Sequence, residues 1–252
     1  MGPLRLWTPV VLAPMAGVTD APFRRLCRIM GESGLPGALR PAGLPAWAAD
    51  ASPGADASSQ MDPEAGAARH VAIPRVDAPA GLYVTEMVTS RALVEGNERT
   101  LDMVRPDPAE RVRSLQLYGV DPAVMARAAT MLVERDLTDH VDLNFGCPVP
   151  KVTKKGGGAA LPWKRDLFVD LLDSVVRACR KAGERAGREI PVTVKIRIGI
   201  DSSHETATDA ALSAQRLGAA ALTLHARTQT QHYAGKAQWE HIARLKELLD
   251  IP

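Results

Sequence analysis

A cysteine held in a turn is the clearest candidate for chemistry in this sequence. Cys147 lies between Gly146 and Pro148, directly after an apolar run that begins at Val141, and lysines and three consecutive glycines follow it. Glycine and proline place the thiol in a turn rather than inside a helix, and the lysines make the local potential positive. Three roles are open to such a cysteine: nucleophile, general acid and small core residue. The sequence offers no Ser/His/Asp triad and no HExxH motif, so a hydrolase is disfavoured.

Polar or small residues also stand where the other short apolar runs end. They are Pro14 to Ala16, Glu86, Gln116, Asn144, Lys195 with Arg197, and His225 with Arg227. The runs themselves are apolar, so packing within a sheet does not account for these residues. Because the carboxyl ends of parallel strands converge on one mouth in a barrel, we expect these side chains to surround one site.

Two of these positions suit an anionic cofactor. Lys195 and Arg197 alternate along one strand and therefore point to the same side of the sheet. A lysine on a solvated face is the simpler alternative, but an ammonium beside N1 and O2 of a flavin would stabilise the reduced ring. His225 is equally compatible with a buried core histidine and with a ligand contact.

Six strand–helix units carry these residues. The apolar patterns predict strands near 9–13, 82–85, 114–117, 141–143, 192–196 and 220–224, and helices near 20–30, 90–95, 121–134, 164–181, 206–217 and 239–249. No antiparallel hairpin interrupts the series, which indicates parallel strands covered by helices. A barrel and an open doubly wound sheet both meet this pattern, but the nucleotide-binding fingerprints GxGxxG and GxxxxGK[ST] are missing. Ile251 and Pro252 resemble the start of a seventh strand, so we predict an incomplete α/β barrel of the TIM (β/α)8 type with about six βα units.

A low-complexity segment interrupts the series after the first helix. Alanine, glycine and proline supply 27 of the 50 residues from 31 to 80. Too few bulky side chains remain to offset the entropy of ordering the backbone, so a disordered insertion is predicted. The predicted organisation is a first barrel unit at 1–30, the insertion at 31–80 and the remaining units at 81–252.

Composition narrows the class of protein. The 252 residues are 46% hydrophobic and 24% charged, with a net charge of +2, which is typical of a globular protein and does not by itself indicate a polyanionic partner. Three cysteines without CxxC spacing disfavour a disulfide framework and a zinc site, so no metal is expected, and Cys27 and Cys179 fall on apolar helix faces. We expect a cytoplasmic monomer without a membrane span.

Six short motifs, taken together, resemble the tRNA-dihydrouridine synthases, flavoenzymes of TIM-barrel fold that reduce uridine in tRNA. They are APMAGVTDAPFR from Ala13, TEM from Thr85, LQLYG from Leu115, DLNFGCP from Asp142, VKIRIG from Val194 and LHART from Leu224. Their order, spacing and placement at strand ends all agree with this family over residues 9–30 and 82–252. The sequence is most similar to the bacterial B-type branch.

The resemblance implies a role for each matching residue. Asn144 positions the substrate, and Cys147 is the proton donor: a hydride passes from the reduced flavin to C6 of the uracil, and the thiol protonates C5 from the opposite face. NADPH is the implied reductant. The implied contacts of FMN are Pro14, Met15 and Ala16 against its isoalloxazine, Gln116 and Lys195 by hydrogen bonds to the ring, and His225.

The substrate base must leave its stack to lie on a flavin, which points to a flipped-out nucleotide of tRNA. Lys154 in the basic loop, Arg197 and Arg227 are then candidates for phosphate contacts. Two departures from the family pattern are expected: the insertion, and an end of the chain before the glycine-rich phosphate-binding segments and the helical RNA-binding domain. Two alternatives stay open, namely another FMN-barrel oxidoreductase acting on a free pyrimidine, and a non-catalytic RNA-binding relic.

Overall fold

A computed structural model describes residues 1–41 and 77–252, and it shows one sheet of six parallel strands. Each strand pairs with the next one in the chain, so spatial order equals sequence order. The sheet curls into a half-barrel, which confirms the predicted fold class. The strands are β1 (Val11–Leu12), β2 (Leu82–Thr89), β3 (Ser114–Tyr118), β4 (His140–Phe145), β5 (Val192–Arg197) and β6 (Ala221–His225).

Eight α-helices lie in the described ranges. They are α1 (Ala21–Ser33), α2 (Ser90–Val94), α3 (Glu98–Met103), α4 (Pro122–Glu134), α5 (Pro150–Thr153), α6 (Arg165–Arg185), α7 (Ala207–Arg216) and α8 (Glu240–Leu248). The sequence patterns predicted neither α3 nor α5. Both are too short, at 6 and 4 residues, to show a helical period.

Local capping chemistry fixes where two of the longer helices begin. The side chain of Asp20 accepts a hydrogen bond from the Phe23 amide at 2.9 Å, and Asp121 accepts one from Val124 at 3.1 Å. A proline follows each cap in the first turn, where its missing N–H costs nothing. Both predicted helix starts are therefore confirmed.

The core lies between the outer face of the sheet and the helices α4, α6 and α7. Phe145 of β4 contacts Phe168 of α6 edge to face, with ring centroids 4.9 Å apart. Leu143 and Leu172 are fully buried beside them. Burying side chains of this size stabilises the fold by about 1.5–3 kcal/mol each. The sheet is thereby fixed on one side, and its inner face is left to carry polar groups.

Several predicted boundaries need correction: the helix predicted at 164–181 ends at Arg185, the strand predicted at 141–143 spans His140–Phe145, and β2 and α1 are also longer than predicted. β2 continues to Thr89 instead of ending at Glu86, because an irregularity in the β2–β3 register between Val84 and Met87 lets the strand resume pairing. Helix α1 continues to Ser33, so the insertion predicted at 31–80 begins with ordered residues. At its other end Ala78 is buried and accepts a hydrogen bond from the Trp7 amide. Residues 42–76 of that prediction lie outside the described residues.

The last residues of the chain pair with the edge of the sheet. The Leu222 amide of β6 donates to the carbonyl of Pro252 at 3.0 Å, and the side chain of Gln215 accepts from the amides of Asp250 and Ile251. This is the contact that a seventh strand beginning at Ile251 would make. Among helices of the described ranges, none has both the length and the apolar content to cross a bilayer.

Candidate active site

The register of the sheet brings the predicted site residues onto neighbouring strands. Asn144 of β4 lies opposite Lys195 of β5, and Arg197 lies opposite His225 of β6. All four stand near the carboxyl ends of parallel strands, at the edge where barrel proteins build their sites. The expected convergence on one mouth is therefore present for these strands.

Asn144 links Gln116 to the cysteine turn. Its Nδ2 donates to Oε1 of Gln116 at 2.8 Å, and its Oδ1 accepts from the amides of Cys147 at 2.9 Å and Gly146 at 3.2 Å. One side chain thus spans a neighbouring strand and the turn that follows its own strand. The hydrogen bond from the Cys147 amide to the Asn144 side chain therefore helps to fix the position of Cys147.

The glycine-rich stretch folds back onto Cys147. The Ala159 amide donates to the Cys147 carbonyl at 3.0 Å, and Gly158 adopts a positive φ of 55°. A Cβ at Gly158 would lie 2.4 Å from that carbonyl oxygen, so only glycine fits at this position. The helix α5 lies between Cys147 and Gly158 in the chain. Lys151 of α5 and the two lysines that follow it, Lys154 and Lys155, are exposed, whereas Cys147 is half-buried.

Lys195 points into the half-barrel without a hydrogen bond to any described residue. Burial lowers the pKa of its ammonium, while the nearby charge of Asp142 opposes that shift. It lines an interior cavity together with Pro14 and Thr223. An ammonium without an acceptor among the described residues is available to bind an oxygen or nitrogen of a ligand.

Arg197 is tied to the protein itself. Only 3% of the residue is exposed; its Nε donates to the Gly146 carbonyl at 2.8 Å, and its Nη1 donates to the carbonyls of Thr228 and His232. The guanidinium also stands 5.6 Å from the ring centre of Tyr233. Arg197 therefore joins the cysteine turn to the loop after β6, and its predicted contact with substrate stays a prediction.

His225 is held as a neutral acceptor. Burial, followed by the charges of Arg197, Lys195 and Arg227, lowers its pKa to about 4. Nη1 of Arg227 approaches Nε2 of His225 at 3.4 Å, so the remaining proton of the neutral ring resides on Nδ1. Arg227 also donates to the carbonyls of Ala234 and Gly235. The imidazole can contact a ligand without adding charge.

The segment from Pro14 to Gly17 forms an exposed turn above β1. Its shape is maintained by the buried Thr19, whose hydroxyl accepts from the Met15 amide at 3.0 Å, and by Glu86, which accepts from the Gly17 amide. Met15 is 39% exposed and Ala16 is exposed as well. Small and apolar side chains are therefore presented to a ligand at the mouth.

Polar residues deeper in the barrel were missed by sequence reasoning. Asp142 and Thr193 each lie two residues before a predicted site residue on the same strand, which places them on the same inner face. This alternation of residues along a strand could have identified Asp142 and Thr193. The sequence prediction considered only the residues at the ends of strands. Tyr233, whose ring lies 5.9 Å from that of His225, was also missed, because a loop tyrosine carries no such pattern. In the part of the chain that the structure describes, no cluster of three metal-ligating side chains occurs.

Comparison with known protein families shows to which family the chain belongs. Residues 11–252 match the family described as Dihydrouridine synthase (Dus). The chain belongs to this family. The resemblance inferred from the six motifs is thereby confirmed, and the match extends across all six strands of the dihydrouridine synthase half-barrel.

Named relatives of this chain come from several bacteria. A protein of Mycobacterium tuberculosis named "Probable tRNA-dihydrouridine synthase" is 46% identical over 98% of this chain and 51% of its own length. One of the same name from Mycobacterium leprae is 48% identical over 94% of this chain and 54% of its own. "tRNA-dihydrouridine synthase B" of Pseudomonas aeruginosa is 33% identical over 100% of this chain and 58% of its own. The chain thus spans little more than half the length of these relatives.

Proposed function

We propose that this chain carries the catalytic half-barrel of an FMN-dependent, NADPH-using enzyme that reduces uridines of tRNA to 5,6-dihydrouridine. One observation carries the proposal: Asn144 bonds both Gln116 and the Cys147 turn, and it pairs in register with Lys195 on the adjacent strand. The Cys147 turn and the Lys195 ammonium would then serve one site, as proton donor and as cofactor-binding cation. Family membership and the names of the relatives agree with it.

The residues of the mouth fit a flavin. The small and apolar turn from Pro14 to Ala16 would lie against the ring, and Gln116 and Lys195 would bind its polar edge. His225, neutral above its lowered pKa, would add a contact without altering the charge of the pocket. The ammonium of Lys195 has no hydrogen-bond acceptor among the described residues, so a ligand oxygen or nitrogen would satisfy it. FMN, once reduced by NADPH, would supply a hydride to C6 of uracil.

Cys147 would complete the reduction by giving its thiol proton to C5. Addition of a hydride at C6 builds enolate character at C5, and a positioned general acid quenches that charge as it forms. The hydrogen bond from the Cys147 amide to Asn144 and the fold of Gly158 against its carbonyl restrict where the sulfur can lie. Asn144 lies beside it, where it would align the base.

An RNA substrate agrees with the charges around the mouth. Lys151, Lys154 and Lys155 are exposed on and after α5, directly beyond the cysteine turn. Exposed lysines of this kind bind phosphates and release counterions from the nucleic acid. Arg227 lies in the loop after β6, where it would contact the backbone of the flipped nucleotide.

The test supplies the purified protein with FMN, NADPH and unmodified tRNA and measures dihydrouridine by nucleoside mass spectrometry. Dihydrouridine that accumulates with time and requires both FMN and NADPH would support the proposal. Free uracil and orotate form the parallel arm. Turnover of a free base at the rate of tRNA would instead favour a free-pyrimidine oxidoreductase, and tRNA binding without flavin binding or turnover would favour a non-catalytic RNA-binding protein.

A further inference from the structure

A line of buried polar side chains runs inside the half-barrel and reaches Asn144 of the mouth through Gln116. Its members lie on β3, β4 and β5, and each is at most 4% exposed: Ser114, Gln116, His140, Asp142 and Thr193. A carboxylate at such depth is costly unless hydrogen bonds and nearby charges compensate for its lost hydration. Asp142 is the one carboxylate in this line, so its partners determine what it does.

The directions of the hydrogen bonds follow from the carboxylate. An ionised carboxylate only accepts, so the hydroxyl of Thr193 donates to Oδ1 and Nε2 of Gln116 donates to Oδ2 at 2.6 Å. The Thr193 oxygen is then free to accept from Nε2 of His140 at 2.9 Å, and Nδ1 of His140 accepts from Ser114 at 2.7 Å. Donors from both sides therefore point toward Asp142.

The same logic continues upward to the cysteine. With its nitrogen facing Asp142, Gln116 must turn Oε1 toward Nδ2 of Asn144, and Asn144 must then turn Oδ1 toward the Cys147 amide. Reversing either amide would set two donors or two acceptors against each other, which leaves buried groups unsatisfied. The orientation of three side chains is thus linked from the barrel interior to the turn.

Asp142 also affects the charge of the mouth. Burial lowers the pKa of Lys195, and the negative charge of Asp142 acts in the opposite direction. The two side chains line the same interior cavity. Removing the carboxylate would therefore lower the pKa of the Lys195 ammonium further.

We propose that Asp142 is a positioning residue whose carboxylate fixes the amide orientations of Gln116 and Asn144, holds the Cys147 turn in place and acts as the counter-charge of Lys195 in the shared cavity. The part that concerns ligand binding rests on the proposed function, because it takes Gln116 and Lys195 to hold FMN. The ordering of the cysteine turn needs no ligand. The two parts can be tested separately.

Three substitutions separate positioning from general loss of packing. Asp142→Asn keeps the size of the side chain but removes its charge and offers a donor where only acceptors stood. Thr193→Val keeps the charge and removes one of the two donors to it. Ser114→Ala is the matched control, since it deletes a buried hydrogen bond at the far end of the same line.

The first measurement is amide hydrogen exchange in the ligand-free protein at neutral pH, followed by NMR. In Asp142→Asn we expect the Gly146 and Cys147 amides to exchange about tenfold faster or more, relative to the Leu172 amide of α6, because their acceptor on Asn144 is no longer held. Thr193→Val should show a smaller change in the same direction and serves alone if Asp142→Asn does not fold. Exchange ratios equal to those of Ser114→Ala in both variants would overturn the proposal.

The second measurement is titration with FMN, followed by flavin absorbance. We expect the dissociation constant of Asp142→Asn to rise about tenfold or more and that of Ser114→Ala to stay within about twofold of the unsubstituted protein. An unchanged constant in Asp142→Asn would overturn the role of Asp142 toward Lys195. If the unsubstituted protein binds no FMN, the proposed function fails, and amide exchange alone decides whether Asp142 orders the turn.

Discussion

The two ends of the half-barrel hold their charges in opposite ways. At the amino ends of the strands, Arg113 and Arg188 both bind Asp139, at 2.7 and 2.8 Å, and both reach Asp136 at 2.9 Å. Burial opposes ionisation of Asp139, but hydrogen bonds and charge from Arg113 outweigh it and hold the pKa of Asp139 below its usual value. Charges at this end neutralise one another.

At the mouth, cations stand without carboxylate partners. Within the described ranges, no carboxylate oxygen lies within 4.0 Å of the ammonium or guanidinium nitrogens of these side chains. The cations are Lys151, Lys154, Lys155, Lys195, Arg197 and Arg227. Arg197 and Arg227 bond backbone carbonyls instead, which holds them in place but leaves their charge uncompensated. Cations are thus paired with carboxylates at one end of the barrel and lack carboxylate partners at the other.

The largest effect is expected at the thiol of the mouth. Cys147→Ala should lower dihydrouridine formation about 10²-fold or more, because a general acid contributes about 10²–10⁴-fold to a proton transfer. Cys27→Ala, which removes a half-buried thiol of α1, is the control and should retain activity. Rates come from nucleoside mass spectrometry. Equal losses in the two variants would remove Cys147 from the chemistry.

Two buried groups between the two ends, His140 and Asp142, should make opposing contributions to the pH dependence of stability. Burial lowers the pKa of His140 from 6.5 to about 3, so its contribution to stability is lost as pH falls from about 6.5. Burial raises the pKa of Asp142 from 3.8 to about 6, against the hydrogen bonds from Thr193 and Gln116, so its contribution is lost as pH rises through this range. These two contributions to the free energy of unfolding nearly cancel between about pH 4 and pH 6.

Substituting one of the two groups should expose the other. In His140→Gln we expect the free energy of unfolding to fall by a few kcal/mol between about pH 4 and pH 6, relative to the unsubstituted protein. In Asp142→Asn it should rise over the same range. Urea denaturation at several pH values measures both. Identical pH profiles in all three proteins would show that neither group has the shifted pKa.

Breaking the network at the amino ends should reduce stability and leave the mouth intact. Arg113→Met leaves the partly buried Asp139 with fewer donors and should cost about 1–3 kcal/mol of unfolding free energy. Arg91→Met, which breaks exposed pairs with Glu95 and Asp121, is the matched control and should cost about 0–1 kcal/mol. Guanidinium denaturation compares them. Equal costs would show that the network is no better than exposed ion pairs.

The smallest effect concerns one exposed lysine. Lys154→Gln should reduce by about 1 the slope of log affinity for tRNA against log salt, since one phosphate contact is lost. Lys181→Gln, at an exposed position near the far end of α6, should leave the slope unchanged. Filter binding at several salt concentrations gives the slopes. An equal decrease of the slope in Lys181→Gln would show that tRNA binding depends on the total charge of the protein and not on the position of Lys154.

Sequence predicted the features that depend on local patterns. Apolar runs, capped helices and their alternation gave the order of the strands, because Asp20 and Asp121 act on amides only three residues away. Since parallel strands end at a common edge, it also predicted that Asn144, Lys195 and His225 would share a mouth. What it left out depends on contacts distant in the chain.

Two examples show the limit. The sequence predicts that Arg197 is a cation free to bind a ligand at a strand end. In the structure its guanidinium donates to the carbonyls of residues 146, 228 and 232, which only the folded loops bring together. Gln116 bonds Asp142 across 26 positions, at a register that the spacing of either strand alone does not fix. Long-range register therefore decides which polar residues are available to a ligand.

The proposed binding of FMN beside Lys195 is tested most directly by titration of two proteins. We expect the unsubstituted protein to bind FMN at one site. Lys195→Met, which keeps the length of the side chain and removes its charge, should weaken binding about tenfold or more. Flavin absorbance and fluorescence follow the titration. Absence of FMN binding, or equal affinity in Lys195→Met, would contradict the proposed binding.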